Sequence, residues 1–307
     1  MPAPTYTSGV SMDWSNFALV ALMSALGLIF LQFLTWVWSQ RAGKLSVADS
    51  VWGAGFVVVG LMSLLFGSGD GQRRLLLFVL VALWGLRLSW HIYVRSRDKG
   101  EDPRYAELYG DMDPKAAALR VFGFQGLLQF GVSLPLQGSA AAGATTGFGW
   151  VLLVLGIIAY AIGLTFEVVG DAQLKAYMKK KDANKSKVMD EGLWAWTRHP
   201  NYFGDACLWW GFFLIALSGS WALWWTLVGP AIMTFLLRNG SGAKTLEKSM
   251  KERPGYREYM KRTAYFFLVL RRNNLQDRQG TRARSLLVPA LVRLRPSGLG
   301  LRGPRRR

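Results

Sequence analysis

The chain has 307 residues, 51% of them hydrophobic and 18% charged, and 37 Lys and Arg against 19 Asp and Glu give a formal net charge of +18 at pH 7. Its one cysteine, Cys207, excludes an internal disulfide framework. Because the cations flank long apolar stretches and do not line one soluble face, the charge argues against nucleic-acid binding. It indicates a basic surface that faces anionic lipid or a phosphorylated cofactor.

Long, nearly uncharged apolar stretches recur along the chain, each close to the ~20 residues that a helix needs to cross a bilayer. They predict an all-α integral membrane protein with about seven transmembrane helices. The stretches lie at about 15–38, 47–66, 75–94, 119–137, 148–169, 202–218 and 221–237.

The charges between these stretches predict how the chain crosses the membrane. Most of the Lys and Arg lie in every second connection, and the connections in between are neutral or nearly balanced. By the positive-inside rule, this multi-pass protein has its N-terminus outside and its C-terminus in the cytoplasm. The basic segments are 39–46, 95–118, 172–198 and the C-terminal tail.

The two ends of the chain are predicted to lie outside the membrane domain, which covers residues 15–270. Residues 1–14 are expected to form a short disordered leader without the basic region of a signal peptide, so the first span is retained. Residues 271–307 hold eleven arginines against one acid, Asp277. That composition is typical of a disordered or membrane-surface tail.

The second and third spans each carry a charge that needs an explanation. Asp49 lies roughly one turn into the second span, where a carboxylate usually faces a cavity or a partner. The alternative is an acid in the first turn of a helix, which stabilises the positive end of the dipole. Arg87 and His91 are four residues apart and share a face of the third span. Arg87 either extends to the interface or reaches phosphate or adenine in an inward-open cavity.

The fourth and fifth spans carry polar residues at helical spacing. Gln125 and Gln129 are four apart, which favours hydrogen bonds between helices over substrate contact. Glu167, Asp171 and Lys175 form a stripe at the same spacing. Exposed pairs of this kind stabilise a helix by only ~0.2–0.5 kcal/mol, too little to explain two carboxylates buried near a membrane. Hydrogen-bond donors on a ribose or a nicotinamide amide would explain them.

The run Arg198-His199-Pro200-Asn201-Tyr202 stands immediately before the sixth span. Pro200 disfavours helix at the preceding residue and suits the first turn of a following helix, so we expect His199 to cap a helix there. Free N–H groups in that first turn attract anions, and Arg198 adds a bidentate phosphate donor. Asp205 follows Asn201 on the same face. The alternative is a basic, aromatic anchor at the membrane interface.

After the last span, the sequence predicts a cytosolic lid. An amphipathic helix with Leu246 and Met250 is followed by a turn at Pro254-Gly255 and then by Tyr256. We expect this segment to cover the cytosolic mouth of a cavity.

The residues now assembled resemble the steroid 5-alpha-reductase-like membrane proteins, in particular a branch of unknown function labelled DUF1295. The run RHPNY alone is less specific, because sterol reductases and isoprenylcysteine-type methyltransferases have a similar segment. The matching segments are DSVWG at 49–53, LWGLRLSWHIYVRSRDKGED at 83–102, FEVVGDAQLKAYM at 166–178, GLWAWTRHPNYFGD at 192–205 and LEKSMKERPGYREYMKRT at 246–263.

The resemblance implies seven membrane helices around a cytosol-open cavity, with NADPH in its cytosolic half and an apolar substrate, steroid-like or lipid, entering from the bilayer. A hydride goes to the β-carbon of an enone while an acid polarises the carbonyl oxygen. Asp49 takes approximately the place of the family's catalytic glutamate, and Tyr93 is the nearest candidate for its tyrosine. Pattern and resemblance together give these cofactor-binding residues: Arg87, Glu167, Asp171, Lys175, Arg198, His199, Asn201, Tyr202, Asp205 and Tyr256.

Two other functions are compatible with the sequence. Membrane methyltransferases that use S-adenosylmethionine share the RHPNY run, but they resemble each other in an adjacent acid pair ahead of the last cytosolic helix, where this chain has Gly242 and Ala243. A non-enzymatic lipid-binding protein with the same fold would bind no cofactor. Membrane lipids are expected partners in every case.

Overall fold

The computed structural model describes residues 12–180, 188–240 and 242–267. Within these ranges the chain is helical and has no β-strand, apart from an isolated parallel bridge between Thr197 and Ala264. The expected leader over 1–14 is too long at its end, because Asp13 caps α1 and α1 begins at Trp14; its residues up to 11 and the expected tail over 271–307 lie outside the described residues. The helices are α1 (Trp14–Ala42), α2 (Val47–Ser50), α3 (Trp52–Phe66), α4 (Gly71–Ser96), α5 (Pro103–Tyr109), α6 (Pro114–Val132), α7 (Leu134–Ser139), α8 (Gly149–Lys179), α9 (Pro200–Leu217), α10 (Val228–Arg238), α11 (Ala243–Met250) and α12 (Tyr256–Arg262), with 3-10 turns at Gly192–Ala195 and Trp221–Leu227.

Each apolar stretch that was predicted to cross the membrane is helical, which confirms the all-α fold. Within the described ranges, four helical segments are long and apolar enough to span a bilayer: Trp14–Ala42, Gly71–Ser96, Gly149–Lys179 and Trp221–Met250. These segments are consistent with a multi-pass membrane protein. The other three spans stay predictions, and the second stretch is divided into α2 and α3 at Val51.

The burial pattern of α1 is the reverse of that in a soluble helix. Ser24 and Gln32 are buried, whereas Leu22, Ile29 and Phe30 are 56%, 66% and 63% exposed. Large apolar side chains that face outward are stable against lipid and costly against water. The polar residues face inward, where neighbouring helices supply hydrogen-bond partners, as expected in a membrane bundle.

Gln129 shows how such inward polar groups connect helices. Its side-chain oxygen accepts a hydrogen bond from Gln32 Nε2 of α1 at 2.8 Å, and its nitrogen donates to the Trp52 carbonyl of α3 at 2.9 Å. The expectation that this glutamine joins helices is confirmed.

The centre of the bundle is filled by aromatic side chains. Phe56, Trp84, Trp209 and Phe212 have no exposed surface. The ring of Trp209 lies 4.6 Å from that of Phe56, 5.5 Å from that of Trp84 and 5.2 Å from that of Phe212. Contacts of this kind stabilise a core by ~0.5–1.5 kcal/mol each beyond the burial of area. The enclosed cavity implied by the resemblance therefore stays a prediction.

Helices α8 and α9 pack backbone to backbone along a seam of glycines. A Cβ atom on Gly163 of α8 would lie 2.5 Å from the carbonyl oxygen of Gly204 of α9, and a Cβ on Gly211 would lie 2.7 Å from that of Gly156. Only glycine allows so close an approach. The seam brings the polar residues of the two helices to one level, since a Cβ on Gly204 would lie 2.7 Å from the backbone nitrogen of Glu167.

We expect Gly163→Val to destabilise the protein by about 1–3 kcal/mol or more, because the new side chain forces α8 and α9 apart. Unfolding in detergent, followed by circular dichroism, measures this. Gly123→Ala in α6 is the matched control, since a Cβ there meets nothing within 4 Å. It should leave stability unchanged or raise it by up to ~1 kcal/mol through helix propensity. Equal unfolding curves for the two variants would contradict the seam.

Candidate functional site

A group of buried and half-buried polar residues lies between α4, α8 and α9. We call Arg87, Glu167, Asp171, Asn201 and Asp205 the carboxylate cluster. Arg87 of α4 makes ion pairs with Glu167 and, at 3.1 Å, with Asp171, both of α8. Asn201 of α9 donates to Asp171 at 3.1 Å. The cluster brings together five of the ten residues that the sequence predicted for cofactor binding.

Helix periodicity and a fixed aromatic donor hold this cluster in place. Glu167 and Asp171 are four apart on α8, as are Asn201 and Asp205 on α9, so each pair presents one face. Trp84 Nε1 donates to Glu167 at 2.8 Å and fixes the carboxylate that faces the aromatic core. Spacing in the sequence could predict that each pair shares a face of its helix. It could not predict that Arg87 of a third helix, α4, contacts the pair on α8.

The carboxylate cluster holds more acids than cations. It has three carboxylates and one arginine, which pairs with two of them, Glu167 and Asp171. His91 Nε2 is 3.8 Å from Asp171. Asp205 is buried, and one of its oxygens, Oδ1, has no hydrogen-bond partner among the described residues. Trp209 Nε1, one turn further along α9, and Arg87 Nε are also buried without a partner there. Such groups are rare in folded proteins and are typical of places where a water or a ligand binds.

Lys175 continues the α8 stripe but stands apart from these contacts. It is exposed, one helical turn beyond Asp171. Its ammonium group could therefore pair with an anion at the edge of the carboxylate cluster.

A second polar group surrounds Asp49, which lies in the short helix α2. Tyr105 of α5 donates its hydroxyl to Asp49 Oδ1 at 2.7 Å, and Arg104 donates to Oδ2 at 3.1 Å. Gln125 of α6 lies 3.4 Å from Oδ1. Asp49 thus accepts hydrogen bonds from three side chains, two of α5 and one of α6.

Helix α5 forms inside the basic segment 95–118, which the sequence predicted to connect two spans. Asp102 caps it by accepting from the Arg104 backbone N–H at 2.9 Å, and Pro103 occupies the first turn. Hydrogen bonds from Arg104 hold the pKa of Asp102 below its ordinary value. Burial, and then the charge of Asp49, raise the pKa of Tyr105 above its ordinary value, so its hydroxyl stays protonated and donates.

Tyr93 does not contact Asp49 in this arrangement. Its ring packs 6.0 Å from that of Trp38 and 5.9 Å from that of Trp90. The catalytic role of Tyr93 stays a prediction, and the tyrosine that meets the carboxylate is Tyr105. The sequence Asp102-Pro103, a cap followed by proline, was the signal for the helix that carries it.

The third group is built on the run at 198–202. His199 is the N-cap residue and α9 begins at Pro200, as predicted. Arg198 is buried and makes two hydrogen bonds to Glu247 of α11, at 2.6 and 3.3 Å. Its remaining terminal nitrogen donates to the carbonyls of Met260 and Thr263 at 2.9 and 3.0 Å. The phosphate contact expected of Arg198 stays a prediction, and it would require these bonds to break.

The other residues of this group surround the same acid. His199 Nε2 lies 3.1 Å from Glu247, and the Tyr256 hydroxyl donates to Glu247 over 3.5 Å. The ring of Tyr202 stacks on His199 at 5.6 Å. We call Arg198, His199 and Glu247 the cap triad, because it ties the start of α9 to the helices α11 and α12. Asn201, two residues after His199, belongs to the carboxylate cluster, so the two groups meet at the start of α9.

Comparison with known proteins places the chain in a family. A protein of Schizosaccharomyces pombe, described as uncharacterized, is 24% identical over 261 residues, which cover 75% of this chain and 74% of that protein. No solved structure matches the chain at a significant level. Residues 35–263, which include Asp49, the carboxylate cluster and the cap triad, match the family described as "Protein of unknown function (DUF1295)". The chain therefore belongs to the DUF1295 family.

Proposed function

We propose that this protein is a membrane oxidoreductase that uses NADPH to reduce a carbon–carbon double bond conjugated to a carbonyl in an apolar, steroid-like or lipid substrate. The main support is the carboxylate cluster, an acid-rich group between three helices with buried polar atoms that have no hydrogen-bond partner in the described part of the chain. In this proposal all seven apolar stretches cross the membrane, with the N-terminus outside. They enclose a cytosol-open cavity that the substrate reaches from the bilayer.

The chemistry of the carboxylate cluster fits the hydroxyl- and amide-bearing half of a dinucleotide. Asp171 and Asp205 would accept hydrogen bonds from ribose hydroxyls and from a carboxamide, and the free Asp205 Oδ1 offers such an acceptor without rearrangement. The excess of carboxylates disfavours phosphate in the same place. Exposed Lys175, one turn away, would meet the phosphates instead. When bound, NADPH supplies the hydride.

The residues around Asp49 would stabilise the negative charge that develops on the substrate oxygen. Tyr105 carries the proton on its hydroxyl oxygen, and turning that donor from Asp49 to a carbonyl oxygen leaves Asp49 held by Arg104 and Gln125. A single placed donor in a site that excludes water accelerates such reactions by ~10²–10³. We therefore assign the donor role to Tyr105, with Asp49 as the acceptor that positions its hydroxyl until a substrate binds.

Titration of the purified full chain with NADPH and with S-adenosylmethionine tests the assignment directly. We expect saturable binding of NADPH and none of S-adenosylmethionine. Binding of S-adenosylmethionine alone would indicate a methyltransferase, and binding of neither would support a non-enzymatic lipid-binding protein.

For the cofactor site, we expect Asp205→Asn to weaken NADPH binding by ~10–100-fold, because a hydrogen bond to a charged acceptor contributes ~1.5–3 kcal/mol. Fluorescence titration measures the affinity. Asp98→Asn is the matched control, since this acid is 83% exposed and pairs only with Arg97 among the described residues. Equal affinity in the two variants would remove Asp205 from the site.

A further inference from the structure

An open groove runs along the outer face of α6, on the opposite side of the helix from the one that meets Asp49. Its volume is about 440 Å³ and its lining is mainly apolar. Leu119, Phe124 and Leu127 form the walls and are 76%, 56% and 66% exposed. Gly123 forms the floor, because a Cβ there would meet nothing within 4 Å. The volume lies within the ~300–1,000 Å³ of small-molecule sites and is too small for a partner helix.

One end of this α6 groove carries a cation. Arg120 lines it, is exposed, and makes no ion pair with any described residue. One of its terminal nitrogens makes a weak contact with Met112 Sδ at 3.8 Å. A guanidinium beside an apolar channel matches a molecule with an anionic head and a hydrocarbon chain. Neighbouring Asp113 caps the helix, since its oxygen accepts from the N–H groups of Lys115 and Ala116, and it makes no ion pair with Arg120.

The groove is one aromatic ring away from the candidate catalytic residues. Tyr109 forms part of its lining, and the ring of Tyr109 lies 6.0 Å from that of Tyr105. Tyr105 in turn donates to Asp49. A molecule in the groove therefore contacts the same short helix, α5, that supplies two of the partners of Asp49.

We propose that the α6 groove binds one anionic phospholipid of the surrounding bilayer, with its phosphate on Arg120 and an acyl chain over Gly123. The proposal rests on the membrane placement of α6 in the proposed function, and not on the redox chemistry. The charge of Arg120 selects anionic over zwitterionic lipid, and the bare helix surface at Gly123 admits the chain.

Native mass spectrometry of the full chain, released from nanodiscs of equal phosphatidylglycerol and phosphatidylcholine, tests this. We expect the wild type to retain one phosphatidylglycerol about tenfold over phosphatidylcholine, a difference typical of one charge-assisted contact. Arg120→Gln should remove the preference. Gly123→Phe should remove retained lipid of both kinds by filling the groove. Arg97→Gln, a change at another exposed arginine, is the control and should behave as the wild type.

The proposal is overturned if the wild type retains both lipids equally, or if Arg120→Gln keeps the wild-type preference. Because Arg120 is exposed, its variant reports even if Gly123→Phe folds poorly. NADPH titration of the same preparations keeps the two ideas separate: lost lipid selectivity with intact NADPH affinity bears on the groove alone.

Discussion

Replacing Glu247 with alanine is expected to destabilise the protein by about 3–5 kcal/mol, because it leaves a buried charge without its partner. The side chains of Arg198 and Glu247 are only 8% and 7% exposed, and His199 meets the same carboxylate. Unfolding in detergent measures the loss. Limited proteolysis should show that the segment around α11 and α12 is cut first, since the cap triad ties it to α9.

Two comparisons make this result specific to the buried pair. Glu252→Ala removes a nearby acid that is 78% exposed and 3.9 Å from Arg257, so it should change stability by less than ~0.5 kcal/mol. The double variant Arg198→Met with Glu247→Leu should be more stable than Glu247→Ala, because it buries no lone charge. Should Glu247→Ala unfold like Glu252→Ala, the cap triad contributes no stability.

For turnover, Asp49→Asn is expected to lower the rate by ~10²–10³ while NADPH affinity stays unchanged. The amide keeps the shape of the side chain but no longer holds the Tyr105 hydroxyl as a charged acceptor does. Tyr105→Phe should cost about as much, and the double variant little more than either change alone, because residues that act as one unit are not additive. The measurement is NADPH consumption with a panel of steroid, acyl and polyprenoid enones.

Tyr109→Phe is the matched control for the Asp49 series. Tyr109 lies on the same helix as Tyr105 and packs against it, but the hydrogen-bond donors to Asp49 among the described residues are Tyr105, Arg104 and Gln125. Its variant should therefore turn over normally. Normal turnover in Asp49→Asn would take Asp49 out of the mechanism. Normal turnover in Tyr105→Phe would exclude Tyr105 as the donor and leave Tyr93 as the candidate.

The sequence predicted those features that are carried by local patterns. Apolar runs of span length gave the helices, and the proline after His199 gave the start of α9. Spacing of four residues gave the stripe of Glu167 and Asp171, whose partner Arg87 was singled out as a charge within a span. In each case the signal lies within about two helical turns, over which backbone geometry fixes which side chains share a face.

The features that the sequence did not predict depend on contacts between distant segments. Arg104 meets Asp49 across 55 positions, and Glu247 meets Arg198 across 49. No periodicity connects such pairs, so the sequence predicted that the Arg198 guanidinium is free to donate hydrogen bonds to a phosphate. The glycine seam does have a local signal in the sequence. Gly156 and Gly163 are seven residues apart, and Gly204 and Gly211 repeat this interval, a spacing of small residues that indicates close helix packing.

The glycine seam also limits how anything could reach the carboxylate cluster. Where Gly163 meets Gly204 there is no side chain to rotate aside, so α8 and α9 should tilt and shift as one rigid plate. Arg87 is the cluster's only member on another element, α4. We therefore expect the cluster to open by a movement of α4 away from α8 and α9. The ion pairs of Arg87 with Glu167 and Asp171 would break first.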